Sequence, residues 1–151
     1  MPKIIVVPNC VIVENGLFCQ NLVLLNMLYY TVNYKFCGGK IENPNESLIE
    51  AACRETKKEM GFEPKIINPE PFIFFAMKEE NGQSTDIIFV DFLAGRTGKI
   101  KPEIENVLKE SGRVRRKFKN IFDYGYIPTD NLPDNLEPDI IPALIHFGFL
   151  K

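Results

Sequence analysis

A layered α+β domain built around a mixed sheet is the fold this sequence predicts, and three observations predict it. The elements run strands, helix, strands, helix, which argues against a repeating βαβ chain. Turn-forming breaks at Asn15-Gly16 and Glu80-Asn81-Gly82 divide runs of β-branched and aromatic residues into hairpins. One stretch, Ser47 to Met60, changes to helical periodicity.

Ile4–Val7 and Cys10–Val13 read as two β-branched runs, with Leu22–Met27 as the strand returning from the Asn15-Gly16 turn. Gly38-Gly39 marks a special loop, because consecutive glycines permit backbone angles and approaches closed to other residues. In the helix, Ile49, Cys53, Thr56 and Met60 form an apolar stripe widened by Leu48 and Ala52. Ser47 and Glu50 have the spacing of a capping box, and Gly61 stands where a left-handed residue closes a helix. Phe72–Met77 and Asp86–Leu93 are strands of a second hairpin, so at least five strands are expected. Lys101 to Asn120 reads as helical with a break at Ser111-Gly112, Tyr124–Ile127 as a short strand, and Ile140 to His146 as a last helix. The phenylalanines at 72, 74, 75, 89 and 92 are assigned to the core.

The 151 residues are 45% hydrophobic and 25% charged, which excludes a disordered, collagen-like or coiled-coil chain. With no repeat and no Gly/Ser or Pro-rich linker, residues 1–151 are expected to form a single domain. Eighteen basic residues against 20 acidic ones leave no overall field for a polyanion. The run from Lys109 to Lys119, with Arg113, Arg115, Arg116 and Lys117, could track phosphates of RNA or of a nucleotide, though it reads more simply as a solvated helix face. Cys10, Cys19, Cys37 and Cys53 lack CxxC spacing, and His146 is the single histidine, so a zinc site is not expected. The N-terminus does not read as a signal peptide and Leu17 to Tyr30 is too broken to span a bilayer, so a reduced, cytoplasmic protein without membrane contact is expected.

The chemistry concentrates on the helix. Glu55 and Glu59, one turn apart, direct two carboxylates to one spot just outside the apolar stripe and are expected to face outward into a cleft. Such a pair repels unless a cation lies between, and hard divalent cations take carboxylate oxygens together with phosphate oxygens and water. The plainer alternative is a solvated helix face screened by Lys57 and Lys58.

Gly38-Gly39-Lys40-Ile41-Glu42, Glu46, and Arg54-Glu55-Thr56-Lys57-Lys58-Glu59-Met60-Gly61-Phe62 together strongly resemble the signature of the Nudix hydrolases, G-x5-E-x7-R-E-U-x-E-E-x-G-U with U apolar. Val23-Leu24-Leu25, Tyr34-Lys35-Phe36 and Tyr126 to Pro133 extend the resemblance less specifically. It implies an α/β/α sandwich with a mixed sheet, and a pyrophosphohydrolase that uses Mg2+, with Mn2+ as an alternative, to cleave a nucleoside diphosphate linked to another moiety. It further implies metal ligation by Glu55, Glu59 and the Gly39 carbonyl, joined by Glu103 or Glu105. One of the two helix carboxylates would orient the attacking water, and Arg54 would orient the catalytic loop. Lys40 and Glu42, beside the glycines, are candidates for substrate contact.

Two departures from the pattern matter. Glu46 lies one residue further from Gly39, which fits a loop lengthened within Asn43-Pro44-Asn45. Lys58 replaces the first member of the Glu-Glu pair, so the helix cluster carries −1 rather than −3 and binds a divalent cation less tightly. That substitution keeps open a second function, a catalytically impaired module that binds a nucleotide, RNA or protein partner.

Overall fold

A computed structural model of the chain describes residues 3–28, 31–100 and 121–151. At its centre is β1 (Lys3–Asn15), one continuous strand rather than two runs. It pairs in parallel with β6 (Gln83–Arg96) from Lys3 opposite Thr85 to Ile12 opposite Ala94. Its other edge meets β3 (Cys37–Gly38) at Asn9 and Cys10, then β2 (Asn21–Leu28) at Val13 to Asn15, both antiparallel. Pro8, between the two runs, falls where β3 has not yet begun to pair on that edge, so a missing N–H is tolerated there. β6 also carries β4 (Pro64–Ile66) and β5 (Phe72–Glu80), and β2 carries β7 (Ile121–Pro128). Among the described residues the result is a seven-stranded mixed sheet.

The two hairpins differ in their turns. Asn81 and Gly82 take φ of 52° and 77° between Glu80 and Gln83, the mirror-image two-residue turn that Asn-Gly favours. The connection after Asn15 is instead five residues long, because Asn15 pairs with Asn21 and Leu17–Cys19 forms a 3-10 turn. Its positive φ values fall on Phe18 and Cys19 rather than Gly16, so the expected tight turn gives way to a wider one.

Helix α1 (Leu48–Met60) is closed at both ends as its sequence requires. Ser47 accepts the Glu50 N–H at 3.0 Å, and Gly61, at φ 81°, donates to the Lys57 carbonyl. Helix α2 (Ile140–His146) matches its expected span, with Pro142 in the first turn where no intrahelical N–H is needed.

Alternation along the strands sends successive residues to opposite faces. Cys10, Ile12, Leu24, Val90 and Phe92 pack under Ala52 and Met60 of α1, while Val11, Val23 and Leu25 pack under Ile140, Ala143 and Leu144 of α2. Helices thus cover both faces of the sheet, the α/β/α arrangement. Phe89 and Phe92 are buried as expected, but Phe75 is not; it points outward on β5 with Ile73 and Met77. The helical stretch 101–120, with Glu103, Glu105 and the basic run Lys109 to Lys119, lies outside the described residues. No helix among the described residues is long and apolar enough to cross a membrane.

Candidate active site

The side of α1 that carries Glu55 and Glu59 is not a solvated face. Both residues are largely covered, at 8% and 7% exposure, and the helix's buried set is Ala51, Ala52, Glu55, Thr56, Glu59 and Met60. The expectation of two carboxylates turned outward is corrected here. The Gly38-Gly39 backbone lies over them, and Lys35 from outside the helix answers Glu59 while Arg54 answers Glu55, not Lys57 and Lys58. Lys57 pairs with Glu63, and Lys58 is exposed.

The approach depends on glycine. A Cβ on Gly38 would stand 2.1 Å from Asn9 Oδ1 and 2.5 Å from the Pro8 carbonyl oxygen. A Cβ on Gly39 would meet the Glu55 carboxyl group at 3.1 Å. Gly38 is itself part of β3 rather than of a free loop, and this pairing with β1 fixes where its N–H points. That N–H donates to Glu59 Oε1 at 3.0 Å.

Lys35 completes the setting. Its ammonium lies 2.9 Å from Glu59 Oε2, 2.9 Å from the Gly38 carbonyl and 3.0 Å from the Phe36 carbonyl. Burial pushes the Glu59 carboxyl above the usual carboxylate range, and the Lys35 charge and the Gly38 N–H oppose that rise. A covered carboxylate stays charged only with partners of this kind.

Arg54 sits at the neighbouring edge. Its guanidinium grips Glu46 with two bonds of 2.7 and 3.0 Å, touches Glu55, and lies 3.6 Å from Glu42. The paired charge holds the Glu46 carboxyl below its ordinary range and raises the guanidinium further. Arg54 therefore ties the loop before α1 to the helix carboxylate. The one-residue lengthening before Glu46 leaves this grip intact. Glu42 is mostly exposed, and Lys40 projects along the mouth of a groove on the α2 side of the sheet.

Sequence reasoning passed over several residues that the fold brings near. Lys35 stands in the sequence between two aromatic residues with nothing local to mark it. Asp91 on β6 is fully buried, accepts a 2.9 Å hydrogen bond from Asn9, and lies against Asp139 at the start of α2. A lone aspartate in the apolar run Ile87 to Leu93 was the available signal for it. Among the described residues no group of three or more His, Cys, Asp or Glu side chains is arranged to hold a metal ion. The donors Glu55, Glu59 and the Gly39 carbonyl are nevertheless hard oxygens, suited to a cation that takes one or two carboxylates and completes its shell with phosphate and water. The three oxygens around the Lys35 ammonium show that this corner already converges on positive charge.

No curated protein matches the chain in sequence. Solved structures do match its fold. The MutT Nudix hydrolase of Burkholderia pseudomallei aligns over 95% of this chain and 97% of its own, with TM-score 0.62 and 19% identity. A Nudix hydrolase of Nitrosomonas europaea aligns over 97% and 88%, with TM-score 0.65 and 17% identity. A binary complex of the Caenorhabditis elegans Ap4A hydrolase aligns over 95% and 94%, with TM-score 0.59 and 15% identity. The family model for the NUDIX domain matches residues 10–139, a span that runs from the centre of β1 to Asp139 and includes both glycines, Arg54 and both helix carboxylates; the chain belongs to the Nudix family.

Proposed function

We propose that the chain is a divalent-metal-dependent pyrophosphohydrolase whose substrate is a nucleoside diphosphate linked to another moiety. Family membership supports pyrophosphate hydrolysis in general terms. The observation that carries the finer reading is the covered pair Glu55 and Glu59, held against Gly38-Gly39 and faced by Lys35 and Arg54. Mg2+, or Mn2+ in its place, would be held by Glu55, Glu59 and the Gly39 carbonyl, and when bound it supplies charge neutralisation on the bridging phosphates and a water of lowered pKa.

The chain's own residues do the rest. The Gly38 N–H and Lys35 favour the charged form of Glu59 against its burial and fix its orientation. Arg54 positions Glu55 and anchors the incoming loop through Glu46. Glu55 or Glu59 accepts a hydrogen bond from the attacking water and directs it at phosphorus. Lys40, which lines a groove together with Lys35, adds positive charge that would meet the phosphates. The free thiols Cys10, Cys19, Cys37 and Cys53 accord with work in a reducing, cytoplasmic setting.

The test is phosphatase-coupled phosphate release from a panel of nucleotides with and without Mg2+, in the unaltered protein and in Glu59→Gln. Mg2+-dependent release that the variant loses is the expected result. Unchanged turnover in the variant moves the site elsewhere. A protein that binds nucleotides but hydrolyses none is the impaired module that Lys58 suggests.

A further inference from the structure

Lys35 spends every proton of its ammonium inside the protein. The group donates three hydrogen bonds, and they go to Glu59 Oε2 at 2.9 Å, the Gly38 carbonyl at 2.9 Å and the Phe36 carbonyl at 3.0 Å. Two of these acceptors are neutral, so the charge is directed at a single carboxylate, Glu59. The Arg54 charge, by contrast, is divided among Glu42, Glu46 and Glu55.

Glu59 is equally committed. Its Oε1 takes the Gly38 N–H and its Oε2 the Lys35 ammonium, and the residue is largely covered. A Mg2+ at its usual ~2.1 Å from Oε2 would stand no more than about 5 Å from an ammonium that had not moved. Like charges that close, with little water between them, repel strongly. The helix also has one carboxylate fewer to offset the repulsion, because Lys58 stands where the family signature has a glutamate. Cation and ammonium therefore contend for one oxygen.

The ammonium has a second place to go. Lys35 and Asn26 exchange backbone N–H to carbonyl bonds of 2.8 and 3.0 Å, so the main chain is fixed and only the flexible four-carbon stem has to turn. The side chain is 19% exposed and lines a groove of about 300 Å³ on the α2 side of the sheet, where Glu137 and Asp139 also line the wall. Burial raises the Asp139 carboxyl and the Lys35 charge acts against that rise, so the ammonium is already within the electrostatic range of the groove. Glu59 and the groove thus offer two anionic settings to one side chain.

We propose that Lys35 is a tethered counter-ion for Glu59, and that a divalent cation binds at Glu59 by displacing this ammonium toward the groove. Lys35 is then a positioning residue whose contact restrains metal binding. A strut that merely holds Glu59 ready for the metal would do the reverse, because its loss would loosen the ligand and weaken binding.

The assignment rests on the divalent-metal reading of the site, and its test needs no turnover. Mn2+ is the probe, titrated into the intact protein at about pH 8 and followed by the paramagnetic resonance of the free ion. Lys35→Gln keeps an N–H donor for Glu59 without the charge and should bind Mn2+ at least ~10-fold more tightly than the unaltered protein. Lys35→Arg keeps the charge and should stay within about 3-fold. In the unaltered protein, reductive methylation of lysines read residue by residue by mass spectrometry should show the Lys35 rate rising at least ~3-fold with saturating Mn2+, while Lys57 is unchanged. Equal or weaker binding by Lys35→Gln, or a Lys35 labelling rate that saturating Mn2+ does not alter, overturns the assignment and leaves the metal reading standing. The labelling decides the matter even if the variant does not fold. Binding by Lys35→Gln alone supports the assignment, since the ammonium then excludes the cation outright; binding by neither protein overturns the metal reading and the assignment with it.

Discussion

Gly38→Ala should be a stability mutation first and an activity mutation second. The added Cβ would lie 2.1 Å from Asn9 Oδ1, 2.5 Å from the Pro8 carbonyl oxygen and 2.6 Å from Asn9 Cα. Two of these atoms are backbone of the central strand, which is paired with β6 along this stretch and cannot retreat. Overpacking of a tight core costs about 1–3 kcal/mol, and a clash against immovable backbone belongs at the upper end. Relief by moving β3 away would break its pairing with β1 and lengthen the Gly38 bond to Glu59, so no cheap escape exists. About 3 kcal/mol corresponds to a melting temperature lowered by roughly 6–12 °C for a chain of this size. Scanning calorimetry or thermal circular dichroism reads it. Gly82→Ala is the internal control: φ there is 77°, but nothing lies within 4 Å of the new Cβ, so only the left-handed cost of about 1 kcal/mol applies. If Gly38→Ala melts within about 2 °C of the unaltered protein, or no lower than Gly82→Ala, the close approach of β3 to β1 is not what it is taken to be.

Gly39→Ala meets a movable side chain, Glu55 at 3.1 Å, so hydrolysis should fall at least ~10-fold while stability changes by less than about 1 kcal/mol; equal activity would detach Gly39 from the site. Lys35→Met strands a covered carboxylate and should cost about 3 kcal/mol at neutral pH, less in acid where Glu59 takes a proton; urea midpoints that do not converge as pH falls would refute this. Lys58→Glu should tighten Mg2+ binding at least ~10-fold by calorimetric titration, and an unchanged affinity would place Lys58 outside the site. The raised Asp139 carboxyl contributes stability that is complete below the ordinary aspartate range and is lost as pH rises through about 6, so relative to Asp139→Asn the unaltered protein should gain stability on acidification from neutral pH. A variant with the same pH slope would sever that link.

The sequence spoke most clearly where structure is decided locally. Ser47, Glu50 and Gly61 act within a turn of their own position, so α1 was legible to the residue, as were the Asn81-Gly82 turn and α2. The turn after Asn15 misled, because Asn-Gly there is followed by residues that take the left-handed angles themselves. Glu55 and Glu59 were found by spacing, but their burial was not, since the atoms that cover them come from β3 and from Lys35. Asn9, Asp91 and Asp139 carry no local pattern at all; only the parallel pairing of β1 with β6 and the docking of α2 bring them together.

That parallel pairing also orders the folding of the chain. β1 can meet β2 as soon as the hairpin is made, a local event on the microsecond scale. Its main partner is 82 residues further on, counted from Asn9 to Asp91, and the closing of so long a loop is the slow kind of contact. The glycines and α1 all lie inside that loop. An early hairpin without β6 would therefore hold β1 with most of one edge unpaired, and the helix carboxylates would have no finished sheet to rest on. Substitutions in β6 far from Glu55 and Glu59 should accordingly slow the appearance of activity during refolding more than they change the activity finally reached.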